Sequence, residues 1–219
     1  MKLIFLILSI IFSLNLFAEN RKIKFSTYYY QRKSLFENLS VDSNDILFIG
    51  NSITDGGEWA EFFKNPNVKN RGINGDTTDG LLDRLPVLLK GKPDKIFLMI
   101  GINNVQHGHS IDYIITGINA IIEMIKRDSP RTQLFIQSIL PVTPFYKKFQ
   151  DHTSRWEMIP KINEQIKSLA VKHNIKYIDL YSHFADEKGQ MKLEYTNDGL
   201  HLLGKGYMLW IDLLKNYMY

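Results

Sequence analysis

From residue 45 onward the chain alternates short apolar runs with longer segments in which apolar residues recur at helical spacing. The runs DILFIG (45–50), VKNRGI (68–73), DKIFLMIG (94–101), TQLFIQSIL (132–140) and IKYIDL (175–180) predict five strands. Runs that are apolar almost throughout belong to strands buried on both faces, as in a parallel sheet covered by helices. The periodic segments predict helices over approximately 57–64, 78–90, 111–127, 154–173 and 205–217. Residues 45–219 are therefore expected to form one α/β domain around a five-stranded parallel sheet.

The chain before residue 45 follows a different pattern. Residues 1–18, MKLIFLILSIIFSLNLFA, carry an early lysine, a long apolar stretch and a small final residue, which is the form of a secretory signal peptide cleaved after Ala18. The alternative is a retained membrane anchor, for which the run is short. In the extension 19–44, TYYYQRKSLFENL has aromatic and leucine residues at mixed helical spacing, Tyr28, Leu35 and Leu39 among them, and predicts a helix packed on the sheet edge, its tyrosines serving packing rather than sugar binding.

Composition narrows the class. With 44% hydrophobic and 23% charged residues in 219, the chain is an ordered globular protein long enough to bury a core. It has no cysteine, which excludes disulfides, a thiol nucleophile and cysteine metal sites, and suits export to a periplasm or secretion by a bacterium. A net charge of +4 spread over scattered lysines gives no reason to expect a nucleic-acid partner.

Open parallel sheets bind ligands beyond the carboxyl ends of their strands, and here those ends are polar: GNS, INGDTT, GINN and PVTP. Ser52 follows the first strand directly. Alone it reads far more readily as a helix cap or turn residue than as a nucleophile, and no GxSxG elbow surrounds it. A serine nucleophile needs a base, a group that orients the base, and donors for the developing oxyanion. Near the C-terminus, EYTNDGLHLLGKGY places Asp198 and His201 three residues apart on a turn before the last helix. Gly75 can bring a backbone N–H close with no side chain in the way, Asn103 offers a carboxamide donor, and the Ser52 N–H completes a three-donor oxyanion site.

Four ordered blocks, GNSITDG, NRGINGDTT, GINN and DGLHL, give the chain a resemblance to the SGNH hydrolase superfamily, the GDSL esterase/lipase family, from about residue 45 to the C-terminus. The resemblance implies a flavodoxin-like three-layer α/β/α fold and hydrolysis of esters or thioesters through a serine acyl-enzyme, with no metal or other cofactor. Carried over block by block, it implies Ser52, Asp198 and His201 as catalytic residues and Ser52, Gly75 and Asn103 as the oxyanion hole. Asn51 and Asn104 depart from the family pattern, each standing where an aspartate is usual. Asn51 is expected to shape the strand-end turn and Asn104 to hold the third loop, with a candidate substrate contact for Asn104 as well.

Further candidate substrate contacts are His107 and, in PVTPFYKKFQDHTSRWEM, Phe145, Tyr146, Arg155 and Trp156, where aromatics can stack on a sugar or hold an acyl group and Lys147, Lys148 and Arg155 can meet an acidic glycan. Loop anchoring and solvated charge explain the same residues equally well. His107 and His109 lack a third ligand for a metal and fit a loop near the pocket better. His152, His173 and His183 show no comparable constellation. The block wording resembles acylhydrolases similar to platelet-activating-factor acetylhydrolase and sialate O-acetylesterase. That favours removal of short acyl groups, O-acetyl above all, from a small-molecule or glycan ester, without stable membrane insertion after signal cleavage. The alternatives are a lysophospholipase or acyl-thioesterase, and a noncatalytic carbohydrate-binding protein. The sequence does not fix an oligomeric state.

Overall fold

The computed structural model describes residues 25–218. The proposed signal peptide lies outside the described residues. Five strands, β1 (Ile46–Gly50), β2 (Val68–Gly72), β3 (Lys95–Met99), β4 (Gln133–Gln137) and β5 (Lys176–Ile178), form one all-parallel sheet in the order β2-β1-β3-β4-β5. The longer helices are α1 (Thr27–Asn38), α2 (Thr78–Leu89), α3 (Ile111–Asp128), α4 (Met158–His173) and α5 (Gly204–Met218). This is the α/β architecture expected from the alternation of runs. None of the described helices is long and apolar enough to cross a membrane.

Every residue of β1 and β3 is buried, which is why both read as apolar at nearly every position, Lys95 at the start of β3 being the exception among the longer side chains. Their register places Phe48 beside Phe97 and Phe97 beside Phe135, and the three rings stack at 4.9 and 4.7 Å between centroids. Trp59 lies on Phe48 at 4.0 Å and meets Trp210 of α5 edge-on, so one aromatic column ties three strands to the C-terminal helix.

The boundaries differ from expectation where local chemistry interrupts a period. The helix expected over 57–64 is a single turn, Trp59–Phe62, and a separate turn, Ser52–Asp55, precedes it across Gly56 and Gly57. A Cβ on Gly57 would stand 2.5 Å from the Trp59 ring, and that ring is held by a bond from its Nε1 to the Thr54 carbonyl at 2.8 Å. The helix expected over 154–173 begins at Met158, after a separate turn at Gln150–Thr153 entered through Phe149 in the left-handed region. In α1 the buried residues are Tyr29 and Phe36, whereas Tyr28, Leu35 and Leu39 are exposed. The Tyr29 hydroxyl bonds the Gly80 carbonyl and Asp83 of α2, and Phe36 lies under the guanidinium groups of Arg71 and Arg84, so those partners select the buried face.

The order β2-β1-β3 has consequences for the site. From β1 the chain moves outward to β2 and then returns to the opposite side of β1 as β3, so the loops after β1 and β3 diverge and leave a crevice between them. Ser52 follows β1, Gly75 follows β2, and Asn103 follows β3.

Candidate active site

The loop after β1 is short and tightly fixed. Asn51 is buried, and its Oδ1 accepts the Ile53 N–H at 3.1 Å as the cap of Ser52–Asp55. This matches the turn-shaping expected of Asn51, since the bond needs an acceptor that asparagine and aspartate both supply. Gly50 must lack a side chain, because a Cβ there would stand 2.3 Å from Thr54 Oγ1 and 2.4 Å from the Met99 carbonyl. Ser52 thus opens a helical turn, where its N–H has no carbonyl one turn back to bond.

The C-terminal turn meets Ser52 from the other side. Ser52 Oγ lies 3.1 Å from His201 Nε2, and His201 Nδ1 lies 2.8 Å from Asp198 Oδ2. The other Asp198 oxygen, Oδ1, accepts the N–H groups of Leu200 and His201, each at 2.8 Å. Burial pushes the Asp198 carboxyl up, but those two N–H groups and the His201 ring outweigh it and hold the group below the ordinary carboxylate range. Asp198 is therefore an anion at neutral pH that fixes one ring nitrogen and leaves the other to Ser52. Gly199 sits at φ 91°, where an added Cβ would stand 2.2 Å from the Thr143 carbonyl, and its own carbonyl accepts the Thr143 N–H at 2.9 Å. The loop after β4 thereby seats the Asp198–His201 turn.

The second and third loops are joined through Asp76 and Asn103. Gly75 has φ +76°, with open space where a Cβ would project. Asn103 Nδ2 donates to the Asp76 carbonyl at 2.8 Å. The Asp76 side chain is anchored beneath by Arg84, whose Nε donates to Oδ2 at 2.8 Å while Nη1 and Nη2 donate to the carbonyls of Arg71 and Gly50 at 2.8 and 3.1 Å. Both members of this ion pair are almost fully buried. One guanidinium thus fastens the Gly75 loop to the ends of β1 and β2.

Ser52, Asp198, His201, Gly75 and Asn103 are brought to one edge of the sheet; the further candidates are not all there. Asn104 has no exposed surface: Oδ1 accepts the Thr78 N–H at 3.1 Å and Nδ2 donates to Thr78 Oγ1 at 3.0 Å, with His109 Nδ1 3.2 Å away. It holds the third loop to the start of α2, and a substrate contact is closed to it. Tyr146 donates to the Thr196 carbonyl at 3.1 Å and so braces the Asp198 turn. Arg155 donates through Nη1 to the Val105 carbonyl at 3.1 Å, and Trp156 packs on the core beside Gly189. Trp156 is thus partly taken up by packing, while Arg155 is exposed and ties one of its donors to the third loop. Phe145 is exposed, and His107 lines a cleft of about 590 Å³ that opens on the second loop at Gly75, Asp76 and Thr77. Among the described residues there is no cluster of His, Cys, Asp and Glu that could hold a metal.

Two residues at the site had no assigned role in the sequence. Phe149, half-exposed and in the left-handed region, presents its ring edge-on to His201 at 5.0 Å. His152, without a partner in sequence, is buried with Nε2 2.9 Å from Asn103 Oδ1. Its only signal was its place in a polar loop after a predicted strand.

With this geometry in place, the match to known proteins is decisive. The GDSL-like Lipase/Acylhydrolase family matches residues 48–209. The chain belongs to that family. It is accordingly a carboxylic ester hydrolase. The human platelet-activating factor acetylhydrolase IB subunit alpha2 is 29% identical over 170 residues, covering 74% of this chain and 71% of that one. The bovine alpha1 subunit is 27% identical over 185 residues, covering 80% and 76%. A solved Streptococcus pneumonia protein provisionally named for platelet activating factor superposes with a TM-score of 0.80 at 32% identity, covering 88% of this chain and 93% of its own. A GDSL-like lipase of Bacteroides thetaiotaomicron shares the fold, with a TM-score of 0.73 at 24% identity over 86% and 96% of the two chains.

Proposed function

We propose that this acylhydrolase removes short acyl groups, O-acetyl foremost, from a carbohydrate or glycan ester, with Ser52 as nucleophile. The observation that carries the chemistry is the unbroken relay from Ser52 Oγ through His201 to Asp198, set beside the Gly75 and Asn103 donors. In this reading the Ser52 hydroxyl attacks the ester carbonyl as His201 Nε2 takes its proton. Asp198 stabilises the imidazolium. The oxyanion is received by the Ser52 and Gly75 N–H groups and by the free N–H of Asn103. His201 returns the proton to the departing alkoxide, then activates a water that releases the acid and restores Ser52.

Two features support the acetyl and carbohydrate parts of the reading. The curated relatives carry acetylhydrolase in their names. The cleft beside Gly75 offers Thr77, Asp79, Gln106, His107 and Tyr113, groups suited to the hydroxyls of a polyol leaving group. A lipid ester is the second reading, favoured by the platelet-activating factor in those same names and by the exposed Phe145 and Phe149 rings. We also propose export, on the strength of residues 1–18. Fractionation of the producing cell would sink export by finding the full-length chain in the cytoplasm.

The substrate test is a panel of acetylated sugars, acetylated glycans, lysophospholipids and acyl thioesters, with Ser52→Ala as control. Acetate release predominantly from sugars is the expected result. A preference for long acyl chains overturns the substrate assignment while leaving the serine mechanism standing.

A further inference from the structure

An oxyanion donor is useful only if it already points at the place where charge will develop. For Asn103 this is a question of which way its carboxamide faces and what prevents it from turning. Nδ2 contacts the Asp76 carbonyl, an acceptor only, so the nitrogen must be on that side and Oδ1 on the other. Oδ1 faces His152 Nε2 at 2.9 Å and is itself only an acceptor, so Nε2 must carry a proton and donate it. Burial, aided by the neighbouring His201, lowers the His152 ring to about 4, so at neutral pH it is uncharged and its single proton is the one held on Nε2.

We infer that His152 is a positioning residue that locks the Asn103 carboxamide with one Nδ2–H on Asp76 and the second aimed at the oxyanion. The carboxamide is pinned at both ends, at 2.8 and 2.9 Å, and is itself buried. Without the imidazole donor, Oδ1 becomes a buried acceptor with no partner, a state the side chain relieves by rotating away from its catalytic direction. A full flip would turn an oxygen lone pair toward the oxyanion and repel it. The His152 backbone N–H donates to the Phe149 carbonyl at 2.9 Å, and the Phe149 ring meets His201. One short turn therefore braces both the donor side and the proton-relay side of the site.

This inference rests on the serine-esterase reading, and the experiment separates the two. Steady-state kinetics on p-nitrophenyl acetate are measured for wild type, Ser52→Ala, Asn103→Ala, His152→Phe, His152→Gln, His152→Asn and the Asn103→Ala/His152→Phe double variant. Removing an oxyanion donor costs on the order of 100-fold, so misdirecting one in H152F is expected to lower kcat by roughly tenfold or more with KM within about twofold. Glutamine can place an N–H where Nε2 stands and should restore most of kcat; asparagine is too short and should not. On the Asn103→Ala background, H152F should cost nothing more, which a general structural role would not produce. Wild-type kcat in H152F, or the same fold-loss in both backgrounds, overturns the inference. If H152F does not fold, equal kcat for H152Q and H152N overturns it. Undiminished turnover by Ser52→Ala removes the esterase reading and this role with it.

Discussion

Replacing Arg84 by leucine tests how firmly the oxyanion loop is tied to the sheet. The change removes the partner of a carboxylate whose own side chain has 0% exposure, together with donors to the Arg71 and Gly50 carbonyls. Breaking a buried ion pair from one side costs about 3–5 kcal/mol, because the remaining charge is stranded. With a urea m-value of about 2–3 kcal/mol/M for a chain of this size, the unfolding midpoint should fall by roughly 1–2.5 M. Burial already holds the Asp76 carboxyl above the ordinary carboxylate range despite the Arg84 guanidinium, and removing that guanidinium should push it further up. The deficit should then shrink as the pH is lowered, because the folded variant takes up a proton before the unfolded chain does. Adding Asp76→Asn should recover part of the loss, since the amide keeps an oxygen for the Thr77 N–H without the charge. A midpoint within about 0.3 M of wild type at pH 7 would refute the anchoring role of Arg84.

Three other outcomes are expected. Asn104→Ala strands the Thr78 N–H and should lower stability by about 1–3 kcal/mol in chemical denaturation; an unchanged midpoint would contradict its clamping role. Asn51→Asp keeps the acceptor for Ile53 and should retain the fold, whereas Asn51→Ala should cost about 1 kcal/mol in thermal unfolding, and equal melting of both variants would contradict the cap. The His152 ring titrates near 4 when folded and near 6.5 when unfolded, so the unfolded chain takes the proton first and stability drops as pH falls between those values. That drop, on the order of 2–3 kcal/mol, should be missing from the pH–stability curve of His152→Gln; identical curves would refute the shift.

The sheet was legible because β1 and β3 are buried on both faces and carry an apolar residue at nearly every position. The residues of the relay were legible because their blocks keep fixed order and local spacing; Asp198 and His201 share one turn. What the sequence did not reveal depends on distant pairing. His152 acquires meaning only through Asn103, forty-nine positions away, and Arg84 only through carbonyls on two strands. Arg155 and Trp156 suggested substrate contact by residue type, which does not disclose that Trp156 packs on the core or that one Arg155 donor bonds the Val105 carbonyl. The buried face of α1 was not legible for the same reason: Tyr29 is chosen by the Gly80 carbonyl and Asp83 rather than by the periodicity of α1 itself.

The central claim is that Ser52 carries the acyl group. Its most direct test is intact-mass measurement of the protein after a fluorophosphonate probe, in parallel with acetate release, for wild type and Ser52→Ala. The account predicts one adduct on folded wild type, mapped to Ser52 and lost on prior denaturation. It predicts no adduct on the variant, whose turnover should fall by roughly 10⁴-fold or more. An adduct mapped to another residue, or acetate release by Ser52→Ala within tenfold of wild type, would contradict it.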